Sequence, residues 1–316
     1  MLKVVAYRCG AALAVLFVCS LMAFCILRVA PGDAATLILG QEATPQAVET
    51  MRQELGLNTP LVQQYFGWLG GVLTGNLGES RLYAMPVTGV IAQAFPVTLL
   101  LSLYATALAL VISLGFGIAA GLHPNSWVDV VARILTQFGS AMPAFWLAIM
   151  LMLFFSSYLE WFPVSGYVPL QEDPLGCIAS LTLPACALAA GECGVLLRTV
   201  RNSVLEAASH DSMLSTQVKG LTRVRVICIY ILKGALVAPV TSAGMQMAKL
   251  LGGTVAIESI FALPGLGRLL LTSVEQRDLM LVLGVVIVIA ACIVLVNLLC
   301  DLVIMALNPG ARQKQP

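Results

Sequence analysis

"LMLVLGVVIVIAACIVLVNLLC", residues 279–300, contains no charged side chain. At about 1.5 Å of rise per residue, about 20 apolar residues carry a helix across the hydrocarbon core of a bilayer. Residues 279–300 meet that length and read as one membrane-spanning helix. The same test applied outward finds uncharged runs at Cys9–Leu27, within Val97–Leu122 and at Ile134–Leu159. Two further runs each hold one charge: Leu175–Leu197 contains Glu192, and Gly234–Ile257 contains Lys249. Six spanning helices follow. The alternating segments of about ten residues that mark a membrane barrel are not seen. Composition agrees: the 316 residues are 59% hydrophobic and 10% charged, where a soluble domain carries about 25% charged residues. Mean hydropathy is +0.94. The expected fold class is an all-α integral membrane protein with six transmembrane helices.

Lys3 and Arg8 precede the first run as the basic region of a signal peptide would. That run is longer than the usual apolar segment of about 7–15 residues, and it ends at Arg28 instead of a small-residue cleavage site, so it reads as a retained helix. Lys and Arg gather on the cytoplasmic side of membrane proteins. An inward N-terminus places Lys3, Arg8, Arg133, Arg198, Arg201, Lys219, Arg223, Arg225, Lys233, Arg312 and Lys314 inside. Only Arg28, Arg52, Arg81, Arg268 and Arg277 then fall outside. Both termini are therefore expected to be cytoplasmic, in a multi-pass protein of the plasma (inner) membrane.

The organisation expected is residues 1–28 for the N-terminus and first helix, 29–95 for a small exterior cap, and 96–316 for a core of helices two to six. The core includes a cytoplasmic loop at 198–233. The cap opens with a turn at Pro31-Gly32-Asp33. A helix then starts with Thr44 as N-cap and Pro45 at the first helical position. Gly56 and Pro60 end it, and a second helix is predicted over Leu61–Leu73. No internal repeat or low-complexity tract is present.

Catalytic chemistry has little to build on. The sequence has no GxxxxGK[ST], GxSxG or HExxH, and its two histidines, His123 and His210, both fall in predicted cytoplasmic loops. The nine cysteines show no CxxC; Cys9, Cys19, Cys25, Cys186, Cys193, Cys292 and Cys300 lie in apolar runs, and only Cys177 is expected outside the bilayer. No enzymatic activity, bound cofactor or metal site is expected. No basic cluster interleaved with aromatics suggests a nucleic acid.

Against this apolar background, "SHDSMLSTQVKGLTRVR" at 209–225 is conspicuously polar. One reading is an amphipathic helix on the membrane surface, with its cations on lipid phosphates. The other is a short helix that turns at Gly220 and offers Met213, Leu214 and Val218 beside polar groups to a protein groove. The second fits better, because the segment lacks bulky aromatic anchors and carries a glycine in mid-course. A charge near the bilayer centre costs about 2.5–3.5 kcal/mol even on lenient scales. Lys249 and Glu192 lie at similar predicted depth on adjacent helices, so they are expected to face the interior, either pairing with each other or lining a path. Asn297 and Asp301, four residues apart on the last helix, read as a structural polar contact between helices. Pro143 and Pro239 read as kinks or helix starts.

An ordered series of motifs goes further: "PGD" at 31–33, "ELGLNTPLVQQY" at 54–65, "NLGES" at 76–80, "PV" at 86–87 and "SAMPAFWLAIML" at 140–151. It continues with "LLRTVRNSVLEA" at 196–207, "ESIFALPGLGRLL" at 258–270, "RD" at 277–278 and "VNLLCDL" at 296–302. With these the chain resembles the permease subunits of binding-protein-dependent ABC importers, in the dipeptide, oligopeptide and nickel branch, and specifically the first permease of each pair. The resemblance runs from Met1 to about Arg312. It departs at Ser212–Val218, where relatives carry a Tyr-Val-Arg-Thr-Ala-Arg-Ala-like run, and at Gly310, where they often have arginine.

The resemblance implies a type I importer fold whose loop between helices four and five holds a coupling helix docked on an ATPase subunit. Asp211, Met213, Leu214, Val218, Lys219, Gly220 and Leu221 would make that contact. It places Glu258, Phe261, Pro264, Gly265 and Gly267 at an outer gate or permease–permease contact, with a tight exterior turn as the plainer alternative. Glu192 and Lys249 would join them along the translocation pathway. Implied partners are a second homologous permease, one or two ATPase subunits that hold ATP and Mg, and an extracytoplasmic solute-binding protein. The implied cargo is a di- or oligopeptide, with nickel or another metal–chelator complex as the alternative. The rival class, an ATP-independent channel or secondary transporter, often shows inverted repeats that this chain lacks.

Overall fold

The computed structural model describes residues 2–29, 44–54, 58–209 and 226–307, and these are helical nearly throughout. Three helices are long and apolar enough to cross a bilayer unbroken: α4 (Val87–Leu122), α7 (Pro174–Ser209) and α12 (Leu279–Leu307). A fourth apolar stretch is a bent pair of helices. α5 (Trp127–Ala141) and α6 (Ala144–Leu151), which continues as π-helical turns over Met152–Tyr158, meet at a bend of 103°. The uncharged run Ile134–Leu159 is thus not one straight rod. Pro143 is the cause: it cannot donate a helical hydrogen bond, and it holds the residue before it, Met142, in an extended conformation. α1 (Leu2–Val29) has a shorter apolar stretch; after π-helical turns over Val226–Ile231 and the single turn α8 (Leu232–Ala235), α9 (Val237–Gly253) is interrupted at Thr254 before α10 (Val255–Ile260). The described residues thus form an all-α membrane fold of three unbroken apolar spans, one bent pair and shorter apolar helices.

The chain divides into two compact units, Met1–Gln93 with Leu270–Ala291, and Ala94–Leu269 with Cys292–Pro316. In the first unit, α2 (Pro45–Glu54) begins as its sequence requires, with the Ala47 N–H donating to Thr44 Oγ1. α3 (Leu61–Leu73) lays Tyr65 and Trp68 on Phe24 of α1, and the Ser20 and Tyr65 hydroxyls share a buried 2.7 Å hydrogen bond. The cap also holds a small antiparallel hairpin, β1 (Glu79–Ser80) with β2 (Met85–Pro86), which helix periodicity gave no means of seeing.

In the second unit α7 is the central post. Lipid offers no hydrophobic gain from helix contact, so close van der Waals approach through small residues holds membrane helices together. Gly117 and Gly121 of α4 provide it: a Cβ at either would lie 2.8 Å from Val200 or Val204 of α7. Gly139 of α5 lies against the Ala190 carbonyl in the same way. Near the other end of α7, Leu181 and Leu183 share a core with Leu101, Ile257, Phe261 and Leu263.

Candidate functional site

The stretch 258–270 folds as the end of α10, a tight turn and the start of α11 (Leu266–Glu275). The Leu263 N–H donates to the Glu258 carbonyl at 2.8 Å, with Ala262 in the left-handed region at φ 53°. The Glu258 side chain is fully buried. Its Oε1 accepts from the hydroxyls of Thr98 and Thr254, each at 2.7 Å, and its Oε2 accepts from the Arg268 N–H at 2.9 Å. Thr98 Oγ1 in turn accepts the Leu266 N–H at 2.7 Å. The opening N–H groups of α11, which no helical carbonyl reaches, are thus satisfied by side chains. A carboxyl at a helix N-terminus is also favoured by the helix dipole.

Gly265 and Gly267 exist for this carboxyl. A Cβ at 265 would sit 2.5 Å from both Glu258 oxygens, and one at 267 would sit 2.8 Å from Val255 Cα. Neither glycine has positive φ; among the described residues the left-handed position of this turn is Ala262. The pair is selected by space and not by torsion. Glu258, Phe261, Gly265 and Gly267 come together as a buried knot with Pro264 exposed beside it. The knot also holds the loop after α6, because the Gly166 N–H donates to the Phe261 carbonyl at 2.9 Å.

Lys249 and Glu192 sit elsewhere, on packed helices α9 and α7. Glu192 is 5% exposed, and its Oε2 has no hydrogen-bond partner among the described residues. Lys249 is exposed in the isolated chain, and no hydrogen bond or ion pair to it occurs among the described residues. The two do not close into an ion pair.

At the opposite end of α7, Asp129 lies wholly buried in the first turn of α5. The Arg201 Nε and Nη2 donate to its two oxygens in a bidentate pair, the second at 3.0 Å, and Arg133 lies 3.3 Å from Oδ2. Ser126 caps α5 through the Asp129 N–H, while the Asn125 N–H donates to Asp129 Oδ2. This clasp ties α5 to α7 shortly before α7 enters the polar segment. Asp211, Met213, Leu214, Val218, Lys219, Gly220 and Leu221 lie outside the described residues.

A third anchor belongs to the cap unit. Asp278 Oδ2 accepts from the Ser80 hydroxyl at 2.7 Å and from the Arg81 and Leu82 N–H groups at 2.8 and 3.1 Å. Its Oδ1 accepts the Leu281 N–H at 3.1 Å and so caps α12. On α12, Asn297 is exposed and Asp301 half-buried. The roles of Thr98, Thr254, Asp129 and Asp278 were not read from sequence. Ser126-x-x-Asp129 did carry a signal, the spacing of a capping box with aspartate in place of glutamate; Thr98 carried none. Among the described residues, no three His, Cys, Asp or Glu side chains group to hold a metal ion.

Comparison with known proteins places this architecture. Residues 113–313 match the family model "Binding-protein-dependent transport system inner membrane component", and residues 1–102 match the N-terminal model of the same systems. A protein described as a peptide transport system permease in Brucella abortus (strain 2308) is 38% identical over 96% of this chain and 97% of its own length. The glutathione transport system permease protein GsiC of Escherichia coli O6:H1 is 34% identical over 99% of this chain and 100% of its own. In fold, a chain of the MetNI methionine ABC transporter in an inward-facing conformation superposes with a TM-score of 0.55 at 16% identity, over 69% of this chain and 96% of that one. The chain belongs to the inner-membrane permease components of binding-protein-dependent ABC importers, in their peptide and oligopeptide branch.

Proposed function

We propose that this subunit forms half of a translocation pathway for di- or oligopeptides, which an extracytoplasmic binding protein delivers and a second permease helps enclose. The observation that carries the reading is similarity over nearly the whole chain to peptide and glutathione permeases. ATPase subunits supply the energy. They grip the segment 210–225, with Asp211, Met213, Leu214, Val218, Lys219, Gly220 and Leu221 at the contact, and both termini lie on the same cytoplasmic side. Closure of the ATPases reaches the bundle through α7, which the Asp129–Arg201 clasp ties to α5. Such a link converts a remote closure into rigid-body rocking, a common route of domain motion around a ligand. The buried knot around Glu258 keeps α10, α11 and α4 in fixed register during that motion.

The test is reconstitution of the complete complex in proteoliposomes with its binding protein. ATP-dependent accumulation of a labelled di- or tripeptide is expected, and none is expected from this chain alone. Accumulation by the isolated chain, or import of a nickel–chelator complex while every peptide is ignored, overturns the reading.

A further inference from the structure

We infer that the outer edge of α5 binds an anionic phospholipid, with Arg133 holding the phosphate and an apolar stripe of α5 lying along the acyl chains. The inference goes beyond peptide import and depends on neither the cargo nor the direction in which the chain crosses the membrane. α5 has two faces. Asp129 and Ala132 are buried on one, where Ala132 clusters with Leu197 of α7. Trp127, Val130, Ile134 and Phe138, three or four residues apart, are exposed on the other. These side chains are large and apolar, without the small or hydrogen-bonding groups through which membrane helices pack on one another, so acyl chains are the fitting cover. Uncharged sequence begins at Ile134 and runs to Leu159. The start of α5 therefore lies where hydrocarbon gives way to headgroups, the level at which tryptophan is enriched.

Arg133 emerges between the two faces. Its Nε donates to the Asp129 carbonyl at 3.4 Å and its Nη2 lies 3.3 Å from Asp129 Oδ2, so the side chain runs back to the first turn of α5. Asp129 does not need it. Oδ1 accepts from Arg201 Nε, and Oδ2 already accepts from Arg201 Nη2 and the Asn125 N–H, each at 3.0 Å. Two guanidiniums thus meet one carboxylate, and because neither gives up its proton one positive charge is in excess. With Arg198 and Glu206 counted, the adjoining ends of α5 and α7 carry three arginines against two acids. Arg201 is held by the clasp, whereas the Arg133 side chain is 55% exposed and its Nη1 makes no hydrogen bond among the described residues. So exposed an ion pair adds little to stability, and the clasp alone gives no reason for the second arginine. A guanidinium fork matches phosphate oxygens. A phosphate joined to acyl chains supplies, in one molecule, an anion for Arg133 and a cover for the stripe. A zwitterionic headgroup carries its own cation beside the phosphate, so the site prefers an anionic lipid.

Quenching of tryptophan fluorescence by brominated lipid tests this in the reconstituted complex. The bilayers mix phosphatidylcholine with phosphatidylglycerol, and one of the two carries brominated acyl chains at a time. Subtracting the signal of a Trp127→Phe complex isolates Trp127 and gives its relative affinity for the two lipids. A preference of about fivefold for phosphatidylglycerol is expected, the weight of one arginine at an anionic surface. Arg133→Gln is expected to abolish the preference and Arg133→Lys to keep most of it. Arg268→Gln, which removes an exposed arginine of α11, is expected to leave it unchanged. Absence of Trp127 quenching overturns the inference, because protein then covers the stripe. So does a preference that survives Arg133→Gln, since the arginine then only braces Asp129. A preference that inorganic phosphate abolishes at constant ionic strength marks a site for the free anion and also refutes. If Arg133→Gln fails to assemble, Trp127 is compared with the exposed Trp161 in the parent complex, and an equal preference at both refutes.

Discussion

Gly265→Ala is the sharpest perturbation of the buried knot. An added Cβ would lie 2.5 Å from each oxygen of Glu258, where an ordinary carbon–oxygen contact is about 3.3 Å or longer. Relief therefore needs a shift of about 0.8 Å in the carboxyl or the turn. The carboxyl cannot move freely, because Thr98, Thr254 and the Arg268 N–H hold it at 2.7, 2.7 and 2.9 Å. A displacement of that size stretches at least one of these bonds past useful length. A hydrogen bond to a carboxylate contributes about 1.5–3 kcal/mol and overpacking costs about 1–3 kcal/mol, so a loss of about 2–4 kcal/mol is expected. The assay is heat survival of the assembled complex in detergent, read by fluorescence-detected size exclusion. Gly191→Ala is the control: a Cβ there meets nothing within 4 Å, and alanine in a helix is neutral or better by about 1 kcal/mol. Glu258→Asp withdraws the carboxyl by one methylene and is expected to recover part of the loss when combined with Gly265→Ala. A Gly265→Ala complex as heat-stable as the parent, or a double variant no better than the sum of the two singles, refutes the spatial account of the motif.

In the same turn, Ala262→Gly is expected to stabilise by about 1 kcal/mol in that heat assay, since alanine at φ 53° bears a left-handed penalty that glycine lacks. Arg201→Met should destabilise by about 2–3 kcal/mol, less than a fully buried pair would lose because Arg201 is 20% exposed; Asp129→Asn/Arg201→Met should recover much of it. The single variant should also lower peptide uptake per ATP hydrolysed, if α7 and α5 must move together. Asp278→Ala leaves the Ser80 hydroxyl and two backbone N–H groups without their acceptor and removes the cap of α12; limited proteolysis should then cut near residues 80–84 in the variant but not the parent.

Much of the fold was legible because the bilayer allows few solutions. Apolar length located the three unbroken spans, and punctuation by Thr44-Pro45 and Pro60 located the cap helices. Two things escaped that reading. The bend between α5 and α6 lies inside an uncharged run, where hydropathy carries no signal and only Pro143 hints at a break. The hairpin of the cap is two residues per strand, too short for alternation to register. At the site, the motif around Pro264 announced a turn, but its partner Thr98 lies 160 residues away from Glu258 in sequence. A contact between residues so far apart leaves no periodicity to read.

That separation bears on what the signature stretch does. Glycines beside a proline suggest backbone freedom, and freedom suggests a moving gate. The geometry instead gives Gly265 and Gly267 ordinary torsions and uses their missing side chains to admit a carboxyl that locks three helices. In the proposed rigid-body motion such fixed joints matter as much as the contact with the ATPase, because a loose joint would absorb the displacement before it reached the path. On α9 and α10 one face is consumed by the core and by Glu258, whereas Lys249 stands on the other without a hydrogen bond or ion pair among the described residues.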